Sequence, residues 1–563
     1  MRQEVQTIDE GVHLTAGVSY WLTGDYRLNE EHPPLVKLLA ALPVLLAKPN
    51  INFSSPSWEN GDQWAFAREF LYEQGNDADR LLFLGRLPML LVSAGLGLVL
   101  FLWARRLGGD LAGLFTLGWF ALDPNFLAHG RYITTDVAVA LGYAATLLLL
   151  VRLLEQWRWQ RLLAFGVTFG VTQVTKFSAL FLWLLILIIP GLWYARAGNF
   201  RTLVRRTLAI LGIALLGTFV SVMGTYAGQV RQGRTDPWVQ ALYRERENVL
   251  TEGRLTSQPM PVQRAIRWSD PNTATGRAIR QLTLDTPIPG WSYFKGIALV
   301  LNHDYWGHLS YLKGMYGTSG WWWYFPLAFV VKTPFATLIL FCLSLIALAH
   351  TWGRNQRRAR AGLFVLLGAA GVYFLWSFTS HINLGLRHIF PVYPAVFVAV
   401  GLFVAATLAS KNVWLKWSVV GISALYVLSS ALAFPAYTAY FSELVGGSAN
   451  GPRYLVDSNI DWGQDVKRLS AYLKEHEVPF VCMSYFGQAS LVYYGLDHRY
   501  LPAESDPHEP TDVNCVVAIS ITSLLSEDRA YAWLRAYQPD ARIGGSIDVY
   551  DFRNGRVPAK NPN

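Results

Sequence analysis

The sequence is short of charged residues and of cysteine. Only 15% of its 563 residues are Asp, Glu, Lys or Arg, whereas a soluble protein carries about a quarter. Its 3 cysteines do not have the spacing of metal ligands, and no cluster of His or acidic residues has it either. We therefore expect no cofactor, although a divalent metal is left open. The net charge of +9 could suggest nucleic acid, but Lys and Arg fall in short clusters between apolar runs, where they more naturally orient the chain in the membrane. We therefore expect membrane lipids as partners and no nucleic acid.

Hydrophobic residues, by contrast, make up 52% of the chain and form long runs. About 20 residues cross the hydrocarbon core of a bilayer, and from Gly85 onward we identify ten runs of roughly that length. They cover residues 85–104, 111–129, 134–154, 162–174, 178–195, 203–226, 324–349, 361–378, 388–409 and 414–437. The fold class we expect is a polytopic α-helical membrane protein with about ten spans.

The turns between these runs alternate in positive charge. One set holds Arg105, Arg106, Arg152, Arg158, Arg161, Arg196, Arg201, Arg205, Arg206, Arg354, Arg357, Arg358, Arg360, Lys411 and Lys416. By the positive-inside rule these turns are cytoplasmic. We therefore place the chain in the cytoplasmic membrane, with membrane segments at 85–226 and 324–437. The segments 1–84, 227–323 and 438–563 are then extracytoplasmic.

Two features of segment 1–84 bear on this topology. Residues 35–47 are apolar but too short to span, so we interpret them as an interfacial helix. In this sequence no apolar, membrane-spanning run precedes the acidic residues Asp9 and Glu10. We expect either that a first spanning helix precedes Met1 in the natural chain, or that the short polar tail is translocated with the first hairpin. The first explanation is favoured because a hydrophobic helix normally drives insertion.

The segment after residue 437 is more polar and indicates a small α/β domain. Residues 465–476 have helix formers with one apolar face, while 480–486, 515–521 and 547–552 have the character of buried strands. Cys482 and Cys515 fall in adjacent predicted strands. They either pair outside the cytoplasm or remain buried thiols that act as small hydrophobes.

Acidic residues in two places could carry chemistry. Asp9 and Glu10 lie in the first outer segment, followed by aromatic residues and His32. An acid at the membrane surface can accept a proton from a hydroxyl nucleophile, and aromatic rings can cover a sugar face. A solvated acidic loop is the alternative. Asp136, at the outer start of the run 134–154, is either part of the same site or a helix cap.

Four cations on the outer side are more informative, because they break the orientation rule that the cytoplasmic turns obey. Arg131, Lys176 and Arg387 lie in short outer turns, and Lys332 lies in the outer part of the run 324–349. Charges at this depth are costly and usually have a partner or a function, although snorkelling to the headgroups is an alternative. With the two aspartates on the same face, they suggest a phosphate site beside a carboxylate.

At these residues the chain resembles the membrane glycosyltransferases of the GT-C fold, family 39, which include the protein O-mannosyltransferases and the aminoarabinose transferases of lipid A. The resemblance rests on Asp9-Glu10, His32-Pro33-Pro34-Leu35-Val36-Lys37, the arginine-rich first cytoplasmic turn, Arg131 with Asp136, Lys176, the segment from Tyr324-Phe325-Pro326 to Lys332-Thr333-Pro334, Arg387, and the stretch from Asp457 to Asp465. One departure is the missing spanning helix before the acid pair.

The resemblance implies a transferase that moves a sugar from a polyprenyl-phosphate donor to an acceptor, a lipid, protein or glycan, outside the cytoplasmic membrane. Asp9 would then deprotonate the acceptor hydroxyl, with inversion at the anomeric carbon, while Glu10 and Asp136 complete the catalytic group. The candidate substrate-binding residues are His32, Arg131, Lys176, Lys332, Arg387 and His388.

Two other classes of function fit the same composition. A transporter or flippase of lipid-linked sugars would line a path with charges from both sides of the membrane, whereas here the deep cations cluster toward one face. A non-catalytic envelope scaffold would use the outer domain to bind partners, and Asp9 would then be dispensable.

Overall fold

The computed structural model describes residues 1–195, 200–241, 243, 272–350, 357–501 and 513–561. Before the C-terminal domain it consists mainly of helices. These are α1 (Ile8–Thr23), α2 (Leu35–Leu46), α3 (Pro56–Glu59), α4 (Gln63–Arg68), α5 (Ala78–Ala121), α6 (Pro124–His129), α7 (Asp136–Glu155), α8 (Trp159–Gln173), α9 (Leu182–Ala195), α10 (Phe200–Thr225), α11 (Ala274–Arg280), α12 (Trp291–Trp306), α13 (Tyr324–Lys332), α14 (Phe335–His350), α15 (Arg357–Ser377), α16 (Tyr393–Ala409) and α17 (Val413–Leu432). Arg196, Arg354 and residues 244–271 of the predicted outer loop lie outside the described residues.

The predicted apolar runs coincide with helices α5 to α10 and α13 to α17. In the described parts of the chain six helices are long and apolar enough to cross a membrane, and α13 with α14 makes a seventh, broken one. Helix α5 carries two of the predicted runs, joined at Gly109, where the backbone leaves the helical conformation at φ 84°. The predicted fold class of a polytopic α-helical membrane protein is confirmed.

Two predicted runs are interrupted, in both cases at proline. The run 324–349 bends by 110° between α13 and α14, because Pro334 lacks an N–H and holds Thr333 in an extended conformation. The run 111–129 stops at Ala121, and α6 starts afresh with Pro124 in its first turn. There Asp123 Oδ1 accepts hydrogen bonds from the amides of Asn125 and Phe126 at 3.0 and 3.2 Å.

Residues 1–84 contain three helices that the sequence analysis did not identify: α3, α4 and, first in the chain, α1. Its start is marked by Thr7 and Glu10, the T-x-x-E spacing of a capping box, and the Thr7 amide donates to Glu10 Oε2 at 3.0 Å. Residues 35–47 form α2 as predicted, and α2 packs against α1, where a side chain at Gly17 would overlap the Lys37 carbonyl. An interfacial position for α2 stays a prediction.

Glycines allow a close helix contact in the membrane part. Gly166 and Gly170 of α8 face Gly217 of α10, and a Cβ on Gly217 would overlap the carbonyl of Gly166. Small residues four apart let helix backbones approach closely in a membrane, where no hydrophobic force drives helices together.

The C-terminal domain is built on a five-stranded sheet with the order β6-β5-β7-β9-β8. The strands are β5 (Val481–Ser484), β6 (His498–Tyr500), β7 (Val516–Ser520), β8 (Ala541–Ile543) and β9 (Ile547–Asp551), after β1 (Val230–Arg231), β2 (Ile288–Pro289), β3 (Ser310–Leu312) and β4 (Met315–Gly317) of the outer loop. The helices are α18 (Val466–Glu475) and α19 (Ile521–Leu524). β5 pairs in parallel with β6 and β7, whereas β9 is antiparallel to its neighbours. Of the two alternatives for Cys482 and Cys515, the structure has the disulfide.

Candidate active site

Four charged side chains meet where four helical segments begin. Asp9 lies in the first turn of α1, Asp136 is the first residue of α7, and Lys176 precedes the 3-10 turn Phe177–Phe181. Arg387 lies in the 3-10 segment Leu386–Val392, which leads into α16. Each position is a helix start, where free amides and the helix dipole favour anions nearby.

The four side chains alternate in sign. Arg387 Nη1 lies 2.8 Å from Asp9 Oδ2 and 3.6 Å from Asp136 Oδ2, and Lys176 Nζ lies 2.5 Å from Asp136 Oδ1. The Asp136 side chain is 1% exposed, whereas those of Lys176 and Asp9 are 15% and 20% exposed. The cluster is therefore closed at Asp136 and open to solvent or substrate at Asp9 and Lys176.

Two atoms of this cluster are left without a hydrogen bond. Within the described residues, Arg387 Nε and Asp136 Oδ2 are buried and find no hydrogen-bond partner. Buried polar atoms are normally satisfied, and an unpaired one calls for an explanation such as a ligand. The guanidinium therefore keeps a donor available for another acceptor while it holds Asp9.

A pair of imidazoles lies beside the cluster. The ring centroids of His13 and His32 are 5.1 Å apart, and His13 Nδ1 is 2.7 Å from the carbonyl of Ile133. Burial lowers the pKa of His13 below its usual value. Burial, together with the charges of His13 and Lys176, lowers the pKa of His32 well below its usual value. Both rings are neutral at pH 7, so His32 can bind substrate only by hydrogen bonding.

His388 follows Arg387 and is held by aromatic neighbours. Its carbonyl accepts a hydrogen bond from Tyr373 Oη at 3.0 Å, and its ring is stacked with Phe325 at a centroid distance of 6.3 Å.

Glu10 is not brought into the cluster, although it is adjacent to Asp9. Its carboxylate is fully buried and pairs with Arg86, with Nη2 2.6 Å from Oε2 and Nε 2.7 Å from Oε1. The amides of Thr7 and Ile133 also donate to it. The sequence analysis missed Arg86, which lies inside an apolar run and interrupts it with a charge.

Arg131 and Lys332 also have partners elsewhere. Arg131 Nη2 lies 2.9 Å from Glu4 Oε1. The Lys332 ammonium is buried and donates to the carbonyls of Thr438 and Asn459 at 2.9 and 2.6 Å. The structure therefore gives these two cations protein partners, and their predicted contact with substrate stays a prediction.

The C-terminal domain contributes a residue that the sequence analysis missed. The guanidinium of Arg387 lies over the ring of Trp462, 4.1 Å from its centroid, and Trp462 is 1% exposed. Trp462 belongs to the stretch from Asp457 to Asp465, which the sequence singled out without a role. Burial raises the pKa of Asp457, at the start of this stretch, to about 6.

In the described part of the chain no group of three or more His, Cys, Asp or Glu side chains is arranged for a metal ion.

Comparison with known families identifies the segment that carries much of this site. Residues 79–225 match the family described as "Dolichyl-phosphate-mannose-protein mannosyltransferase". The predicted resemblance to the GT-C glycosyltransferases is confirmed. The matched segment runs from α5 to α10 and includes Arg86, Asp136 and Lys176. The comparison with curated protein sequences gave no match.

Solved structures similar to this chain include the following three. ArnT from Cupriavidus metallidurans bound to undecaprenyl phosphate has 15% identity and a TM-score of 0.43, and the match covers 97% of this chain and 94% of ArnT. The S. cerevisiae protein O-mannosyltransferase Pmt1-Pmt2 complex bound to the sugar donor has 15% identity, coverages of 77% and 86%, and a TM-score of 0.48. The oligosaccharyltransferase AglB from Archaeoglobus fulgidus has 10% identity, coverages of 99% and 71%, and a TM-score of 0.47.

Proposed function

We propose that this protein transfers a sugar from a polyprenyl-phosphate donor to an acceptor hydroxyl on the outer face of the cytoplasmic membrane. The observation that carries the proposal is the cluster of Asp9, Asp136, Lys176 and Arg387, which brings an accessible carboxylate, Asp9, into one site with two cations. The family description of residues 79–225 names a donor of the same chemical class, a sugar on a lipid phosphate.

Lys176 and Arg387 are the groups suited to the donor phosphate. Arg387 Nε is buried without a hydrogen-bond partner among the described residues, and Lys176 is partly exposed. When the bond between the anomeric carbon and the phosphate oxygen breaks, the electron pair leaves with the lipid phosphate. Fixed cations stabilise this developing charge, so the leaving group needs no general acid.

Asp9 is the group suited to the acceptor. Its side chain is 20% exposed, and an acceptor hydroxyl within hydrogen-bond reach would give its proton to the carboxylate as the oxygen attacks. Attack opposite the phosphate inverts the configuration at the anomeric carbon.

The remaining residues of the site support the three groups that act on donor and acceptor. Asp136 holds Lys176 at 2.5 Å and faces Arg387, which keeps the two cations close together despite their mutual repulsion. Glu10 fixes the start of α1 through Arg86 and thereby places Asp9. The neutral rings of His13 and His32 are suited to hydrogen bonds with sugar hydroxyls.

Two observations support an outer location for the site. The arginine-rich turns lie on the side predicted to be cytoplasmic, opposite the turns that hold Arg131, Lys176 and Arg387. The Cys482–Cys515 disulfide is the kind of bond that persists outside the reducing cytoplasm.

The test is transfer of radiolabelled sugar from polyprenyl-phosphate donors in membranes, with Asp9→Asn compared to wild type. Loss of the base should lower the rate at least about a hundredfold. Asp25→Asn is the matched control, because Asp25 pairs with Arg27 at 2.8 Å in the same segment and outside the cluster. Equal transfer by wild type and Asp9→Asn would remove Asp9 from the mechanism. Movement of the lipid across the bilayer without any transfer of label would instead indicate a flippase.

A further inference from the structure

Trp462 of the C-terminal domain contacts Arg387 and the residue that directly precedes Asp9. Its ring lies under the Arg387 guanidinium at 4.1 Å, and its carbonyl accepts a hydrogen bond from the amide of Ile8 at 3.0 Å. Ile8 directly precedes Asp9 in the first turn of α1. One residue of the outer domain therefore contacts the two elements that bring the acid and the cation together.

The loop that carries Trp462 is fixed on both sides. The Trp462 amide donates to Gln464 Oε1 at 2.8 Å, and the Gln464 carbonyl accepts from Val5 at 3.1 Å, just before α1. On the other side Asn459 Oδ1 accepts from the amide of Leu386 at 3.1 Å, next to Arg387. The loop thus spans from the start of α1 to the segment of Arg387.

An indole is well suited to support a guanidinium that must also bind other groups. The ring face attracts the cation without occupying any of its N–H donors. Arg387 Nη1 therefore remains available to Asp9, and Nε remains available to a further acceptor. A carboxylate in the place of Trp462 would compete with a phosphate for these donors, and an aliphatic side chain would leave the cation free to move.

We propose that Trp462 is a positioning residue that holds Arg387 against Asp9, so that the C-terminal domain is an integral part of the active site. This inference rests on the proposed function, because it assigns a role to Trp462 in donor binding and transfer. It gives the outer domain a task in the chemistry, separate from any recognition of the acceptor.

The experiment compares Trp462→Leu and Trp462→Phe with wild type in the purified full-length chain. Undecaprenyl phosphate binding and sugar transfer are both measured per folded protein, counted as the monodisperse fraction in detergent. Trp533→Leu is the matched control, because Trp533 lies in the same domain and packs on Phe552, with ring centroids 5.6 Å apart, rather than on the cluster.

Trp462→Leu should weaken undecaprenyl phosphate binding about five- to thirtyfold, as expected for loss of a desolvated cation–π contact. It should also lower kcat at least about tenfold, because misplacing a positioned group slows the chemical step. Trp462→Phe keeps an aromatic face and the backbone contact to Ile8, so it should stay within about threefold of wild type. Trp533→Leu should match wild type in both measurements.

The outcomes separate this inference from the proposed function. Binding and turnover of Trp462→Leu equal to wild type would overturn the positioning role while the transfer function stands. Equal defects in Trp462→Leu and Trp462→Phe would overturn the role of the ring face. If undecaprenyl phosphate binds to wild type more tightly than to Trp462→Leu but wild type transfers no sugar, the positioning role stands and the transfer function is overturned. Wild-type protein that does neither would overturn both.

Discussion

At the scale of single residues, two adjacent acids have different surroundings. Asp9 is partly exposed and pairs with Arg387, whereas Glu10 is fully buried and pairs with Arg86. Burial alone would raise the pKa of Glu10, but Arg86 and the backbone amides of Thr7 and Ile133 outweigh it and hold the pKa below its usual value. Glu10 is therefore a permanent anion in the core of the outer segment.

Glu10→Gln should destabilise the protein rather than act on the reaction alone. The substitution leaves the Arg86 charge buried and unpaired, which costs about 3–5 kcal/mol. Thermal unfolding in detergent should show a lower Tm and a smaller folded fraction. Asp9→Asn is the neighbouring control and should unfold like wild type, since Asp9 is partly exposed. A Glu10→Gln protein as stable as wild type would contradict the structural role of the pair.

Asp457 should make the stability of the protein depend on pH. Burial raises its pKa from the usual 3.8 to about 6, so the folded state binds the proton more tightly than the unfolded state does. The resulting stabilisation is complete below about pH 4 and is lost as the pH rises through about 6. At 1.36 kcal/mol for each unit of pKa difference, the loss amounts to about 3 kcal/mol.

Asp457→Asn removes this titration while keeping an oxygen that can accept from the Ser458 amide. From pH 5 to pH 7 the Tm of wild type should therefore fall relative to that of the variant. Parallel curves for the two proteins would show that Asp457 does not titrate in this range.

The sequence located part of the site because the outer cations violate the positive-inside rule. Lys176 and Arg387 were recognised in this way, and the structure places them with Asp9 and Asp136. Their pairing joins residues as far apart as 378 positions, which no local pattern encodes. The protein partners of Arg131 and Lys332 were not predictable for the same reason, because they come from distant segments.

At the scale of helices, local sequence patterns indicate where a helix starts better than they indicate where an apolar run bends. Hydropathy identified the apolar runs, but it gives Pro334 no special weight. The ring of Pro334 nevertheless ends α13. The capping-box spacing of Thr7 and Glu10 was present in the sequence and would have indicated α1. Close helix contacts depend on which glycines of two helices face each other. The spacing of apolar residues along one helix does not predict this pairing.

Gly217→Ala should loosen the contact between α8 and α10. The added Cβ would overlap the Gly166 carbonyl, so the helices must separate, and overpacking of this kind costs about 1–3 kcal/mol. A lower Tm in detergent is the expected result. Gly212→Ala on the same helix is the control, because no described atom lies within 4 Å of a Cβ built there. That variant should be unchanged or slightly more stable, since alanine favours helix. Equal behaviour of the two variants would contradict the close contact.

At the scale of the whole molecule, the C-terminal domain is tied to the membrane part through several elements. Besides the loop of Trp462, the hairpin of β3 and β4 contacts the domain, where Tyr311 Oη and Tyr316 Oη donate to the carbonyls of Pro452 and Leu525, each at 2.9 Å. The sequence indicated a separate α/β domain from its composition. It could not indicate these contacts, because they are made by loops whose conformation depends on both partners.

The cysteines offer a test of where this domain folds. Cys482 in β5 forms a disulfide with Cys515, the residue before β7, while Cys342 on α14 has a free, exposed thiol. A domain that folds outside the cytoplasm should keep this bond. In membranes denatured with SDS, a maleimide should label one thiol per chain without reduction and all three after reduction.

Two controls make this result specific to the disulfide. Cys342→Ser should abolish labelling before reduction, and Cys482→Ser should expose the thiol of Cys515 as a second reactive group. Removing both paired cysteines should cost about 2–4 kcal/mol, because the bond constrains the unfolded chain across a separation of 33 residues. Three reactive thiols in unreduced membranes would place the domain in a reducing compartment. The active site would then face the cytoplasm, because the Trp462 loop binds the domain to the same side as Asp9.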